Sequence, residues 1–247
     1  MGLPDWVDIQ QIIYELEKSG LATHTFRRLD LARQQNIINA IFEDAAAYGP
    51  ASINIKRIAQ KAQVSVGSLY QYFSNRENLV DFGIEMAVHY TLQSFAVFKP
   101  YLLEMPLRQA LAAYLNGGVE WAQDLGGFIR FFARSAYAGE PGFSDRMVPP
   151  VAAVMLEMVK EMLAKAVERG EIRADLDLEA SARVINTWLI AVGDAQLLPY
   201  LNTYFQVSGE AVTIERAEAA LVQIILEGIG ERPGYKPPGR SGEVSSP

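Results

Sequence analysis

The segment NIKRIAQKAQVSVGSLYQYFSNRENL, residues 54–79, constrains this chain more than any other stretch. It reads as a short amphipathic helix, a tight turn and a second short helix whose outer positions carry small and polar side chains. Asn54 stands where a helix needs an N-cap, and Ile53 is placed to staple onto Ile58. Ile55, Ile58, Ala59 and Ala62 then recur at helical spacing, while Lys56, Arg57 and Lys61 stay outside. Gln63 and Val64 occupy the turn, and Ser65 caps the second helix, whose inward positions are Leu69 and Phe73. Helices locked by such packing present the second one rigidly, which is the layout of a reader of double-stranded DNA.

The other face of the second helix carries Ser65, Val66, Ser68, Gln71 and the phenols of Tyr70 and Tyr72. Small residues near its start let a helix sink into the major groove. Gly67 fits that need, at a cost of roughly 1 kcal/mol of helix stability relative to Ala. The base-reading candidates are Val66, for apolar contact with a thymine methyl, and Ser68 and Gln71, for polar contact with base edges.

The segment resembles the DNA-binding domain of the TetR family, on Ile58, Ala59, Val64, Ser65, Gly67, Leu69, Tyr70, Tyr72, Phe73, Arg76 and Leu79. Gln63 stands where that family usually has Gly, and Arg76 replaces the commoner Lys. The resemblance implies phosphate contacts from Lys56, Tyr70, Tyr72 and Arg76, to which Asn54 and Ser65 are added as candidates. It also implies a homodimer on a palindromic DNA operator, acting as a ligand-responsive repressor that a small molecule releases. A transcriptional activator, or a ligand-independent architectural DNA-binding protein, would share the same reader.

The net charge of −7 fits DNA binding only once it is divided along the chain. From His24 to Val80 seven Arg or Lys stand against four Asp or Glu, a net of +3, so the remainder carries −10. A basic reader with an acidic body held away from the phosphates keeps its salt-dependent attraction. The chain has no cysteine, so disulfides and thiolate metal sites are excluded. With His24 and His89 alone, no imidazole-rich metal centre is expected, and His89 reads as a surface or packing residue. No phosphate-binding Gly loop or nucleophile with a base in context stands out, so neither an enzyme nor a cofactor is expected. The N-terminus lacks a signal-peptide pattern and apolar runs are broken by charge, so a cytoplasmic protein without a membrane span is expected.

Helical patterns fill the rest, and the expected class is all-α. Residues 1–29 read as an extension with an extra helix near 4–19, carrying Trp6, Ile9, Ile12, Ile13 and Leu16 before Gly20. It would pack on the body or a partner, or with Arg27 and Arg28 form an arm toward DNA. Residues 30–76 form the reader, opened by a scaffolding helix from Asp30 to about Ala47, with Arg33 a further candidate for phosphate contact. Residues 77–231 form a ligand-binding and dimerisation domain, and residues 232–247, rich in Pro, Gly and Ser, a flexible tail. In the large domain a connecting helix over 77–98 is expected to stop at Phe98, Lys99 and Pro100. Further helices are expected near 106–124, 126–138, 150–169, 177–197 and 213–229, with GEPGFSDRMVPP and the stretch after Pro199 as loops.

Aromatic and thioether residues crowd the large domain, as in an adaptable apolar chamber for a small apolar or amphipathic effector. Trp121, Phe128, Phe132, Met158 and Trp188 are the preferred pocket residues, although such residues also build ordinary cores. Asn116, Gln123, Arg130, Arg134, Asn186 and Asp194 are the polar selectors available, and Arg130 with Arg134 would suit an acidic ligand. Helices 177–197 and 213–229 show long apolar faces with small residues: Ala180, Val184, Thr187, Trp188, Ala191 and Ala195 on one, Ala217, Ala220, Leu221, Ile224, Ile225 and Ile229 on the other. Two such helices from each subunit would build the four-helix dimer interface.

Overall fold

The computed structural model describes residues 8–124, 132, 136–137 and 144–230, and it is helical throughout apart from short connections and an isolated bridge between Ile172 and Gly230. The first helix, α1 (Ile9–Lys18), starts where the Asp8 carboxylate accepts from Gln11 N at 3.0 Å and stops before Gly20, whose φ is 79°. A single turn, α2 (His24–Arg27), is capped by Thr23, and α3 (Leu31–Tyr48) by Asp30. The reading pair is α4 (Ile55–Lys61), capped by Asn54, and α5 (Val66–Phe73), capped by Ser65. Beyond it run α6 (Arg76–Glu104), α7 (Leu107–Asp124), α8 (Ser144–Glu168), α9 (Leu178–Leu197), α10 (Pro199–Phe205) and α11 (Ile214–Ile229).

Two cores result. The first gathers Ile12 and Ile13 of α1, Phe26, Ile37, Ile38 and Ile41 of α3, Ile58, Leu69 and Phe73 of the reader, and Phe82 to Tyr90 of α6. Phe26 is central, with ring centroids 4.9 Å from Phe73 and 5.2 Å from Phe82. The N-terminal extension is thereby part of the core under the reader. Gln34, fully buried, ties it down by donating to Phe26 O at 3.2 Å and Arg27 O at 3.0 Å. The second core gathers Leu107 and Leu111 of α7, Met158, Met162 and Leu163 of α8, Ile185 and Leu189 of α9, and Val222 and Ile225 of α11.

The helix α6 crosses from one core to the other, placing Leu79 to Tyr90 in the first and Leu102 in the second. Its approach to α3 is close, since a Cβ on Gly83 would stand 3.0 Å from Ile41 Cγ2. Three expectations are corrected in this part of the chain. The helix does not stop at Pro100 but runs through it to Glu104. A proline costs a helix one internal hydrogen bond and a clash with the preceding turn, and packing outweighs that cost here. Likewise α8 starts at Ser144 and carries Pro149 and Pro150 inside it, because Met147 and Val151 are buried on either side. The stretch after Pro199 is a short helix, with Pro199 in its first turn and Leu201 buried.

Candidate DNA interface and ligand cavity

The reader is held from behind by an ion pair between the half-exposed Arg57 and the buried Asp44. Arg57 Nε donates to Asp44 Oδ1 at 2.6 Å and its Nη2 to Asp44 Oδ2 at 2.9 Å, while Asn54 N donates to Asp44 Oδ2 at 2.9 Å. Hydrogen bonding to Asp44 raises the Arg57 pKa further, against the opposing effect of desolvation. This guanidinium also lies over the Tyr48 ring, so Arg57 fixes α4 onto α3. The turn is completed by Gln63 at φ 56°, the left-handed conformation for which glycine is best suited. At the far end of α5, Thr23 Oγ1 donates to Gln71 O at 2.8 Å and Thr23 N to Tyr72 O at 2.9 Å. The extension therefore supplies partners for the last carbonyls of the reading helix.

With Leu69, Tyr72 and Phe73 buried, α5 leaves Ser65, Gly67, Tyr70 and Gln71 exposed and Val66 and Ser68 half-buried. Ser68 Oγ lies 2.8 Å from Ser65 Oγ, and Ser65 Oγ accepts from Ser68 N at 2.9 Å. The phosphate candidates divide by what already holds them. Lys56 and Tyr70 are exposed, and the Lys56 ammonium and Tyr70 hydroxyl have no hydrogen-bond partner among the described residues. Asn54 and Ser65 serve as caps, and Tyr72 is buried with its ring 5.9 Å from that of Phe26. Arg76 is turned to the protein, donating to Ala51 O at 2.8 Å and Ile53 O at 3.2 Å. In the extension, Arg27 pairs with Glu17, whereas Arg28 and His24 are exposed. Arg33 lies 3.9 Å from Asp30, and His89 lies 3.6 Å from Glu15.

Between the second half of α6 and helices α7, α8 and α9 lies a cavity of about 630 Å³, within the usual range for small-molecule sites. Its walls are apolar and aromatic, with Phe95, Phe98 and Tyr101 from α6, Tyr114 from α7, Met155 from α8, and Leu189, Ile190 and Leu197 from α9. Phe132 lines it, and so do Asn116 and Asp194. The Asp194 carboxylate accepts from the Tyr137 hydroxyl at 2.8 Å. Burial pushes the Asp194 carboxyl above the ordinary carboxylate range, and the Tyr137 bond opposes the shift.

Two expected pocket residues lie elsewhere. Met158 packs in the second core at 1% exposure, and Trp188 is 42% exposed on the outer face of α9. Both share a helix with lining residues but point away from the cavity, because helical register decides the facing. The side chains of Trp121 and Gln123 lie outside what is described, as do Phe128, Arg130, Arg134 and the segment 232–247. Tyr101 lies beyond the helix stop expected at Pro100, and only a helix carried through that proline brings it to the cavity wall.

Among the described residues no helix is long and apolar enough to cross a membrane, and no group of three or more His, Cys, Asp or Glu could hold a metal ion. A short capped reading pair joined by one long helix to a cavity-bearing helical domain defines a helix-turn-helix DNA-binding regulator. Residues 37–81 match the family model for bacterial regulatory proteins, tetR family. Solved structures agree in fold. A TetR family transcriptional regulator from Chloroflexus aurantiacus is 19% identical, with a TM-score of 0.58 over 85% of this chain and 99% of that one. The SmeT–triclosan complex is 17% identical, with a TM-score of 0.63 over 87% and 98%. The fatty acid degradation regulator FadR from Bacillus halodurans is 16% identical, with a TM-score of 0.57 over 78% and 98%. No curated protein matches the sequence.

Proposed function

We propose that this regulator is a repressor that binds a palindromic operator as a homodimer and is released by a small apolar or amphipathic molecule in the cavity. The observation that carries the reading is the division of α5 into a buried side, Leu69 and Phe73, and an outer side of small and polar residues led by Ser65, Val66, Gly67 and Ser68. Val66 would meet a thymine methyl, and Ser68 and Gln71 would meet base edges. Lys56 and Tyr70 are the freest groups for phosphates on either side.

Dimerisation is supported by apolar side chains left exposed on two contacting helices. Val184 is 49% and Trp188 42% exposed on α9, and Ile224 is 58% exposed on α11 beside the exposed Ala220. A second copy would cover these faces in a self-complementary four-helix contact. Two readers held about 35 Å apart would then meet successive major grooves on one side of the duplex.

Control would run through α6, whose first half belongs to the core beneath the reader and whose second half forms a cavity wall. Triclosan in the SmeT structure and the fatty acid degradation role of the Bacillus halodurans protein support an apolar or amphipathic effector here. Rigid readers fit successive grooves over a narrow separation, so a ligand that shifts α6 weakens binding. It does so only by as much as it prefers the shifted state.

Gel-shift titration on the DNA upstream of the chain's own gene tests the reading. The expected result is a sequence-selective complex of two protomers per site. Equal affinity for scrambled DNA of the same length contradicts it.

A further inference from the structure

The cavity holds one charged side chain among the described residues, and that charge is negative. Asp194 Oδ2 accepts from Tyr137, while Asp194 Oδ1 has no hydrogen-bond partner among the described residues. The hydroxyl of Tyr114, whose ring lines the same cavity, is buried without a partner among those residues. Buried polar groups ordinarily have partners, so the Tyr114 hydroxyl is suited to a polar group of a ligand, and Asp194 Oδ1 offers a charged acceptor in the same cavity. Around them stand aromatic rings, including Phe95 with its centroid 6.3 Å from that of Tyr114, and Phe98 and Tyr101.

A ligand carboxylate in this space would meet the Asp194 charge in a medium that screens poorly, and among the described residues the walls offer it no compensating cation. A cation meets the opposite situation, with a carboxylate oxygen to pair with and aromatic faces that attract positive charge. The upward push on the Asp194 carboxyl is what a buried carboxylate shows when it lacks a counter-charge. We infer that the cavity takes an amphipathic monocation, an apolar chain or ring system bearing one ammonium group, with the ammonium against Asp194 Oδ1. This rests on the reading of the cavity as the effector site.

Decylamine, decanol and decanoate, matched in chain length, test the inference by calorimetric titration into the full-length protein at neutral pH. Decylamine is expected to bind at least tenfold more tightly than decanol, and decanoate most weakly. Asp194→Asn should reduce the decylamine affinity at least tenfold and leave decanol within threefold. Decanoate binding as tightly as decylamine, no decylamine binding, or decylamine affinity untouched by Asp194→Asn overturns the inference. The ligand ranking in the parent protein decides the matter even if the variant folds poorly. Operator release, followed in parallel by DNA anisotropy, separates the two claims. Asp194-dependent decylamine binding without release contradicts effector control and leaves the ligand class standing, whereas release by decanol or decanoate alone does the reverse.

Discussion

Arg146 Nη2 of α8 donates to Glu85 Oε1 of α6 across 2.7 Å, and the same guanidinium also reaches Asp81, one turn earlier. Farther along, Lys99 of α6 meets Glu161 of α8 at 2.7 Å. The cavity-lining helix α8 therefore grips α6 both beside the reader's core and beside the cavity. On the proposed reading, that is the contact through which a ligand against Met155 or Val151 moves the reader.

Arg146→Gln should uncouple the two ends. The pair is partly exposed, so its loss should cost the fold no more than about 1 kcal/mol. Operator affinity without ligand should stay within threefold of the parent. The ratio of affinities with and without a saturating cavity ligand should fall by more than threefold. An unchanged ratio, read by DNA anisotropy, means the grip on α6 does not transmit the signal.

Gly67→Ala separates reading from folding. A Cβ at Gly67 would stand 3.7 Å from Ser65 Oγ, an ordinary contact, so the fold has room for it. Helix propensity alone then stabilises the variant by roughly 1 kcal/mol, a rise in Tm of about 2–4 °C. If α5 enters the groove, operator affinity should nevertheless fall at least tenfold. A more stable protein with full DNA affinity contradicts groove insertion at Gly67.

Gln63→Gly addresses the turn. With φ at 56°, Gln63 bears the left-handed cost of about 1–2 kcal/mol that Gly avoids, less the extra freedom Gly has when unfolded. A net stabilisation of about 0.5–1 kcal/mol in urea unfolding is expected, with operator preference unchanged. Destabilisation would mean that the glutamine side chain holds the turn in some other way.

The reader was legible because its signals are local. Asn54 and Ser65 each stand directly before a helical stripe and cap the helices they were expected to cap, and Asp30 caps the helix it was expected to start. The cavity was legible only in composition. Met155 lines it and Met158 does not, and Leu189 lines it while its neighbour Trp188 faces out. These differences depend on which neighbouring helix each face meets, a tertiary fact with no local mark. The same holds for Tyr114 and Asp194, which sit on separate helices far apart in sequence and meet at one cavity. Pro100, Pro149 and Pro150 misled in the same sense, since packing carries α6 and α8 through them.

Asp194→Asn should also change stability with pH. Burial raises the folded carboxyl above its unfolded value, so Asp194 favours the fold below the ordinary carboxyl pKa, and that contribution is lost as pH rises through the folded value. The Asn variant, free of this loss, should have a higher Tm than the parent at pH 7, the gap closing as the pH falls toward 4. A constant gap across that range means Asp194 titrates as it would in water.

The central claim is that the outer face of α5 reads bases while Lys56 anchors the backbone, and titration of operator variants at several salt concentrations tests it most directly. Ser68→Ala with Gln71→Ala should reduce discrimination among operator variants at fixed salt by roughly 1–3 kcal/mol and leave the salt slope intact. Lys56→Ala should weaken all sites alike and lower the slope by about 0.9 for each phosphate that the lysine neutralises. Full discrimination in the double variant, together with an unchanged slope without Lys56, would contradict the assignment of this face to DNA.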